Sequence, residues 1–568
     1  MTTFTTHDVT ATPTTLLDDR AEQSADAVTA HTLLNCLIRE VSAPEHQVSV
    51  NQGHLLLRLP RRHLLLRARL RRVSLIGAHR FQGPVQRFED DAWAAVGWRE
   101  LAGYMQNELE LRTGIANEEF LAQVADSRET IRTALEHRST RPRQTDPYLS
   151  SEQSLVFGHR FHPTPKARTG DPEDWLTYGP ETGACFRLRH LAVRRHLVRE
   201  EGDLDGLDAL CPPADPGYLT LPVHPWQYRL LQANDRLREA LAAGDVVDVG
   251  VSGPELVPTA SVRTLYQPDA DTFLKFSLNV RLTNCVRKHA SYELPGAVVL
   301  NQLLQPVFTA LADRFPRCAL LAEPGYRTLD ADGDTALVEG LAVIVRSGLR
   351  PHLRPGVTPL LAAAIADEYP TSTAHVSHLL ARGNGDVLAW WDAYLRLLLP
   401  PVLAAYFEHG IVLEPHLQNV VVGVHADGTP AQMLFRDLEG TKVLPGHHRH
   451  ALADLPEDVR GPLTYDAERG WNRVAYCLLV NHTAELLGAL ADLDPALEPA
   501  LWGLVRDHLA GYARTAGEPP RLRALLSGVP LPAKANLLLR WARQADRHAT
   551  YVPLPSPLGE DFPREVAR

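Results

Sequence analysis

From Leu274 to Thr283 apolar and polar residues alternate along the chain: Leu274, Phe276, Leu278, Val280 and Leu282 fall on one face, Lys275, Ser277, Asn279, Arg281 and Thr283 on the other. A period of two over this length predicts a half-buried strand. Just upstream, ELVPTASVRTLYQ (255–267) also reads as a strand, and PDAD (268–271) as a turn, so the two segments predict an antiparallel hairpin. If Arg263 shares a face with Lys275, Ser261 and Ser277 share it too, and some registers set Arg263 directly opposite Lys275. Like charges so opposed destabilise a bare sheet. A polyanion between them reverses the sign, so the pattern points to a clamp for phosphates or carboxylates.

The same reading orders the rest of the chain. Residues 1–25, rich in Thr, Asp and Ala, form a tail, and 27–41 has helical spacing. Residues 47–77 read as strands with a dense basic run on a solvated face, and helices follow over 92–113 and 117–138. The loop GHRFHPTPKARTG (158–170) crowds His159, His162, Lys166 and Arg168 around prolines that forbid a helix interior, so its cations need water or an anion. A strand runs into a helix over 218–232, with His224 and Trp226 read as structural at the junction. A helix over 293–311, a strand over 337–348 and a helix over 387–410 ending at Gly410 come next. Residues 411–440 read as strand, polar loop, strand, turn and strand, and helices, including 471–490, complete the chain. The polar, Pro-containing stretches 138–147 and 351–359 mark boundaries, giving domains 1–148, 149–355 and 356–568.

The 568 residues suffice for several cores, and a net charge of -10 gives no sign of a nucleic-acid binder. Six scattered cysteines, none at zinc or iron–sulfur spacing, read as free thiols of a reducing compartment. The N-terminus lacks the pattern of a signal peptide, and the apolar run 395–407 is too short and broken for a membrane span, so a cytoplasmic protein with no membrane or nucleic-acid partner is expected. The HHRH cluster (447–450) reads as an exposed loop.

Candidate chemistry sits in two further places. EPHLQN puts Glu414, His416, Gln418 and Asn419 in one loop, and FRDLEG puts Asp437 and Glu439 at a strand end. Hard oxygen ligands beside a nucleotide suit magnesium, with Asp437 the leading ligand and Glu439 and Asn419 beside it. Without a Walker A sequence, any nucleotide site here is not a P-loop. Two ATP chemistries stay open on the residues alone. One is phosphoryl transfer, although EPHLQN lacks the catalytic Asp of kinases. The other is carboxylate activation at the α-phosphate, with release of pyrophosphate and then AMP.

Six motifs, GHRFHPTPKARTG, LPVHPWQ, PTASVRT, KFSLNVRLTNCVR, EPHLQN and FRDLEG, occur between residues 158 and 440 in the order seen in the NRPS-independent siderophore synthetases, and the chain resembles that IucA/IucC family. The resemblance implies an α+β fold of thumb, fingers and palm, with an antiparallel nucleotide-binding sheet and a mainly helical C-terminal part. It implies a homodimeric ATP- and Mg2+-dependent ligase that condenses citrate or a dicarboxylate derivative with an amine or alcohol. Ser261, Arg263, Thr264, Lys275, Asn284, Arg287, His416, Gln418, Asn419 and Asp437 would form the nucleotide and metal site. His159, His162, Lys166, Arg168, Thr283 and Arg287 would bind the carboxylate substrate, and Arg263, Lys275, Arg287 and His416 would act on the reacting phosphate. In GHRFHP, Arg160 stands where a small residue or proline is expected, either adding a cation to the substrate pocket or pointing away from it. The C-terminal part is similar to ferric-siderophore reductases but lacks their terminal cysteine cluster. A small-molecule kinase and a non-catalytic citrate or siderophore binder are the alternatives.

Overall fold

In a computed structural model of the chain, which describes residues 24–140, 144–282, 285–545 and 548–560, the start of the alternating stretch lies inside an eight-stranded sheet. Its strands run in the order Val198–Gly202, Gly325–Leu329, Val343–Arg346, Thr272–Phe276, Thr264–Gln267, Val246–Pro258, Phe186–Arg194 and Tyr218–Val223. The hairpin forms about the turn at 268–271, with Thr264, not Arg263, opposite Lys275. Arg263 precedes the strand, its carbonyl accepting the Phe276 N–H at 2.9 Å.

The single strand expected from 274 to 283 is two. Thr272–Phe276 is buried on both faces, and after Ser277 the chain leaves the sheet as Leu278–Leu282, which pairs with Cys285–Arg287. The polar face is covered over the first strand, where Lys275 and Ser277 are buried, and open over the second, where Asn279 and Arg281 are exposed. Leu274 and Phe276 enter one core with Val343 and Val345. On the opposite face Lys275 stands beside Ile344, which packs under helix Glu293–Arg314 with Leu294, Ala297 and Val298.

A five-stranded antiparallel sheet (Val48–Asn51 to Ala92–Val96) packs with helices Ala25–Leu37, Trp98–Thr113 and Phe120–Thr140 around an N-terminal core. Residues 92–96, expected to be helical, are a strand here. Trp541 and Leu537 join this core from the far end of the chain, and the buried Glu40 carboxylate accepts the N–H groups of Leu537 and Leu538 at 2.9 Å each. A four-stranded sheet built from Cys318–Leu320, Pro430–Phe435, Val420–Val424 and Thr358–Leu361 backs onto the helical C-terminal part, so its strands come from both sides of residue 355. The segment 337–348 divides into helix Thr335–Gly340 and strand Val343–Arg346 rather than one strand.

Three helices, Glu293–Arg314, Val387–Phe407 and Ala467–Ala491, are long and apolar enough by length and composition to cross a membrane, with 56%, 61% and 94% of their apolar windows buried inside the fold. The run 395–407, set aside as too short, is thus part of a longer helix whose apolar residues fill the largest core.

Candidate active site

Four charged side chains from motifs 162 and 176 residues apart meet beside that covered sheet face. Lys275 Nζ lies 2.6 Å from Asp437 Oδ1 and 3.0 Å from Glu439 Oε2, and Arg263 pairs with Glu439. Arg346, bound to the buried Glu323, stands 3.5 Å from Asp437. Burial opposes the charge on Arg263 and Lys275, but the facing carboxylates outweigh it and raise both above their ordinary values. Burial likewise opposes ionisation of Asp437 and Glu439, and the cations overcome it, holding both below the usual carboxylate range. The clamp thus carries its own counter-ions.

Two turns place these groups. Val262, at φ 68°, and Asp437, at φ 76°, adopt left-handed backbone that costs a non-glycine residue energy. The first turn closes through Thr264 N–H to Ser261 Oγ (3.2 Å) and Arg263 N–H to Ser261 O (2.8 Å). Buried Arg436 connects it to the EPHLQN loop, donating to the Gln418 carbonyl (2.8 and 3.0 Å) and pairing with Glu152, whose other oxygen accepts the Ala260 N–H at 3.0 Å. Gly440 allows the loop to approach, since a Cβ there would lie 2.2 Å from the Glu414 carboxylate.

His416 Nδ1 accepts the Gln418 N–H (3.3 Å), which leaves the proton on Nε2. Burial lowers its pKa to about 4, so at neutral pH it is an uncharged hydrogen-bond donor. Asn419 donates from Nδ2 to Glu414 O (3.2 Å). Of the proposed metal set, Asp437 and Glu439 are held by cations. The ligand atoms within 4.8 Å of one another belong to His289, Glu293 and Glu439. His289 Nε2 bonds the Lys275 carbonyl (3.2 Å), and its Nδ1 faces Arg263. Burial pushes Glu293 up to about 7, with Glu439 adding to the effect. Neither His289 nor Glu293 was singled out from the sequence, although His289 follows the basic pair Arg287–Lys288 directly. This cluster itself lines a small pocket of about 20 Å³, whose other side is formed by Ala297, Leu300, Ile344, Leu438 and Leu463.

On the carboxylate side, Lys166 and Arg168 do not stand open. Both pair with buried Glu181, whose own carboxyl they hold at about 2 against the burial that would raise it. His159 is engaged at both nitrogens: Nδ1 accepts the Phe161 N–H and Nε2 donates to Asn481 Oδ1, each at 3.0 Å. His162 Nδ1 accepts the Thr164 N–H at 3.2 Å. Arg160 is held by partners outside the loop, donating to His79 O (2.8 Å) and lying 3.2 Å from Glu368. Arg287, half-buried opposite Leu278, has no carboxylate partner among the described residues. Thr283 and Asn284 lie outside the described residues. His224 and Trp226 are structural: His224 is fully buried and caps its helix, accepting the Trp226 N–H at 3.2 Å.

Residues 147–367 match the IucA / IucC family, and residues 388–549 match the family described as Ferric iron reductase FhuF-like transporter. The chain is 29% identical to the rhizobactin siderophore biosynthesis protein RhbC of Rhizobium meliloti, over 94% of this chain and 98% of that protein. It is also 29% identical to the L-2,3-diaminopropanoate–citrate ligase of Staphylococcus aureus, over 73% and 75% of the two chains. Its fold is similar to that of ATP-bound aerobactin synthetase IucA from Klebsiella pneumoniae, with a TM-score of 0.84 at 24% identity, over 94% of this chain and 99% of that one.

Proposed function

We propose, for a chain that belongs to the IucA/IucC family through residues 147–367, a siderophore synthetase that adenylates a carboxylate of citrate or a citrate-like acid and passes the acyl group to an amine or alcohol. The observation that carries this reading is the quartet of Arg263, Lys275, Asp437 and Glu439, two buried cations and two acids from separate motifs beside a small pocket with one apolar wall. In this reading Arg263 and Lys275 bind phosphate oxygens, Asp437 and Glu439 offer hard oxygens to Mg2+, and the apolar wall takes the base. The neutral His416 donates from Nε2 to the α-phosphate as charge builds there. A magnesium ion supplies charge neutralisation on the phosphates. The donor set fits one in chemistry, since Asp437 and Glu439 offer two carboxylates side by side, which would have to exchange Lys275 and Arg263 for the ion.

A substrate carboxylate oxygen attacks the α-phosphorus, the bond to pyrophosphate breaks, and an acyl adenylate forms. The amine or hydroxyl then attacks the acyl carbon, AMP leaves, and the nucleophile's proton passes to solvent. Lys166, Arg168 and Arg287 are the carboxylate-side cations, and positioning with charge stabilisation does most of the work. Thumb, fingers and palm divisions at 1–148, 149–355 and 356–568, a cytoplasmic location and a homodimer belong to the same reading.

The test is a product assay with citrate, ATP, Mg2+ and a panel of amines and amino alcohols. Carboxylate-dependent AMP and pyrophosphate are expected, and Arg263→Ala should remove them while circular dichroism stays native. Release of ADP would point to a kinase instead, and tight citrate binding without turnover to a binder.

A further inference from the structure

Two loops must keep their spacing if phosphate-side and carboxylate-side groups are to meet, and one irregular helix touches both. Between helices Ala467–Ala475 and Glu485–Ala491 the chain runs as a nine-residue π-helix, Tyr476–Ala484. Such openings of a helix recur at functional sites. Thr483 Oγ1 supports this one by donating to the Leu478 carbonyl at 2.7 Å. Asn481 and His482, adjacent in sequence, point to different loops. Asn481 Oδ1 accepts from His159 Nε2 at 3.0 Å. His482 is fully buried and makes two bonds, with Pro415 O at Nδ1 (2.8 Å) and with Tyr394 OH at Nε2 (2.6 Å).

The tautomer of His482 follows from its partners. A carbonyl only accepts, so Nδ1 carries the proton and Nε2 accepts from the Tyr394 hydroxyl. The same logic fixes His159, whose Nδ1 is taken by the Phe161 N–H. Pro415 immediately precedes His416, and a proline has no N–H of its own to anchor. The loop is tied by Arg473 to Glu414 (3.2 Å), His482 to Pro415, the Ala363 N–H to the Leu417 carbonyl (3.0 Å), Arg436 to the Gln418 carbonyl and the Arg436 N–H to the Asn419 carbonyl (3.1 Å). Of these, the His482 and Ala363 bonds reach the residues on either side of His416, and the His482 bond is the one made by a side chain.

We propose that the π-helical segment is the positioning element of this site: His482 sets the His416 loop through the Pro415 carbonyl, and Asn481 sets the His159 loop. The proposal rests on the synthetase reading for its kinetic consequence but not for its structural one. His482 touches no reacting atom in this scheme and acts through the loop.

Two isosteric substitutions separate positioning from bulk stability. In His482→Asn the side-chain amide N–H takes the place of Nδ1–H and keeps the Pro415 bond. In His482→Gln the amide reaches the place of Nε2 and keeps only the Tyr394 contact. Each loses one buried bond, so a merely structural histidine would respond alike to both. Amide hydrogen exchange on the full chain without nucleotide should show faster exchange at residues 416–419 in His482→Gln and native exchange in His482→Asn. In the product assay His482→Gln should lower kcat for AMP release about 10²-fold, the cost of a misplacement near 1 Å, with KM for ATP little changed, while His482→Asn retains kcat. Asn481→Leu should speed exchange at 159–162 and leave 416–419 alone. Equal behaviour of the two His482 variants, or native exchange at 416–419 in His482→Gln, overturns the His482 assignment. Native exchange at 159–162 in Asn481→Leu overturns the assignment of Asn481. If the wild type releases no AMP with any acid, the synthetase reading fails, and the exchange data still decide the positioning role.

Discussion

Replacing Lys275 by Met tests whether the quartet's pairs exist in solution. Lys275 has 1% of its side chain exposed and two carboxylates within 3.0 Å, and without it the ion-pair partner left to Asp437 among the described residues is Arg346, already engaged by Glu323. Removing one partner of a buried ion pair costs about 3–5 kcal/mol, because the other charge is left uncompensated. Asp437 and Glu439 are a quarter to a third exposed, so water recovers part of that loss and the lower end, about 3 kcal/mol, is expected. Asp437→Asn should cost less, since Lys275 then retains Glu439. The double variant should recover part of the sum, giving a coupling of about 1–2 kcal/mol, within the range for residues in contact. Urea unfolding followed by tryptophan fluorescence, in buffer without divalent metal, measures all four corners of the cycle. Strictly additive losses would refute the pairing, and with it the claim that the clamp holds internal counter-ions.

Two further predictions concern pH. Asp492 bridges buried Arg72 and Arg80 of the N-terminal sheet, which overcome its burial and bring its carboxyl to about 2. A group with a depressed folded pKa stabilises above its unfolded value and loses that contribution as pH falls through the folded one. Asp492 therefore contributes roughly 2–3 kcal/mol that disappears between pH ~4 and ~2, and Asp492→Asn should flatten that limb of an acid-unfolding curve. An unchanged limb would count against the network. His224, buried without charge, has its pKa lowered to about 3, so its unfolded form takes up a proton first and stability falls as pH drops below about 6.5. His224→Asn keeps a capping acceptor for Trp226 and should make stability less steep between pH ~6.5 and ~4; thermal unfolding across that range checks it.

What could be read from the sequence was local. The hairpin about 268–271, the junction at His224 and the loop between strands 411–412 and 420–424 follow from short patterns of apolar residues and turn formers. Neighbouring strands decide what such patterns leave open. The alternation correctly separates Leu274 and Phe276 from Lys275, but it does not say whether the polar face meets water or a helix: at Lys275 helix Glu293–Arg314 covers that side of the sheet, while Asn279 and Arg281 are exposed. Glu181, Glu152 and Glu323 escaped notice because their importance lies in partners distant along the chain: Arg436, for example, is 284 residues from Glu152. An isolated glutamate in a sequence is most often a surface residue, and nothing nearby marks these as buried. Arg160 illustrates the converse: in GHRFHP it looks like one more loop cation, yet its partners His79 and Glu368 belong to segments before and after the motif.

The internal counter-ions bear on how the site would be filled. The cations proposed for the phosphates, Lys275 and Arg263, are matched by Asp437 and Glu439, whereas Lys166 and Arg168, proposed for the carboxylate, share the single acid Glu181. A buried unpaired cation is costly, so this arrangement lets the cations be buried before any substrate arrives. A nucleotide arriving alone has to displace Asp437 and Glu439 and leave two carboxylates beside its own phosphates, while a divalent metal arriving alone strands the two cations. Together they exchange one set of ion pairs for another, cations to phosphate and carboxylates to metal, without leaving a charge unmatched. On the proposed reading, the coupling between Lys275 and Asp437 should therefore persist in the presence of nucleotide or Mg2+ alone and fall when both are added. Loss of the coupling with nucleotide alone would mean that the carboxylates are not what the metal replaces.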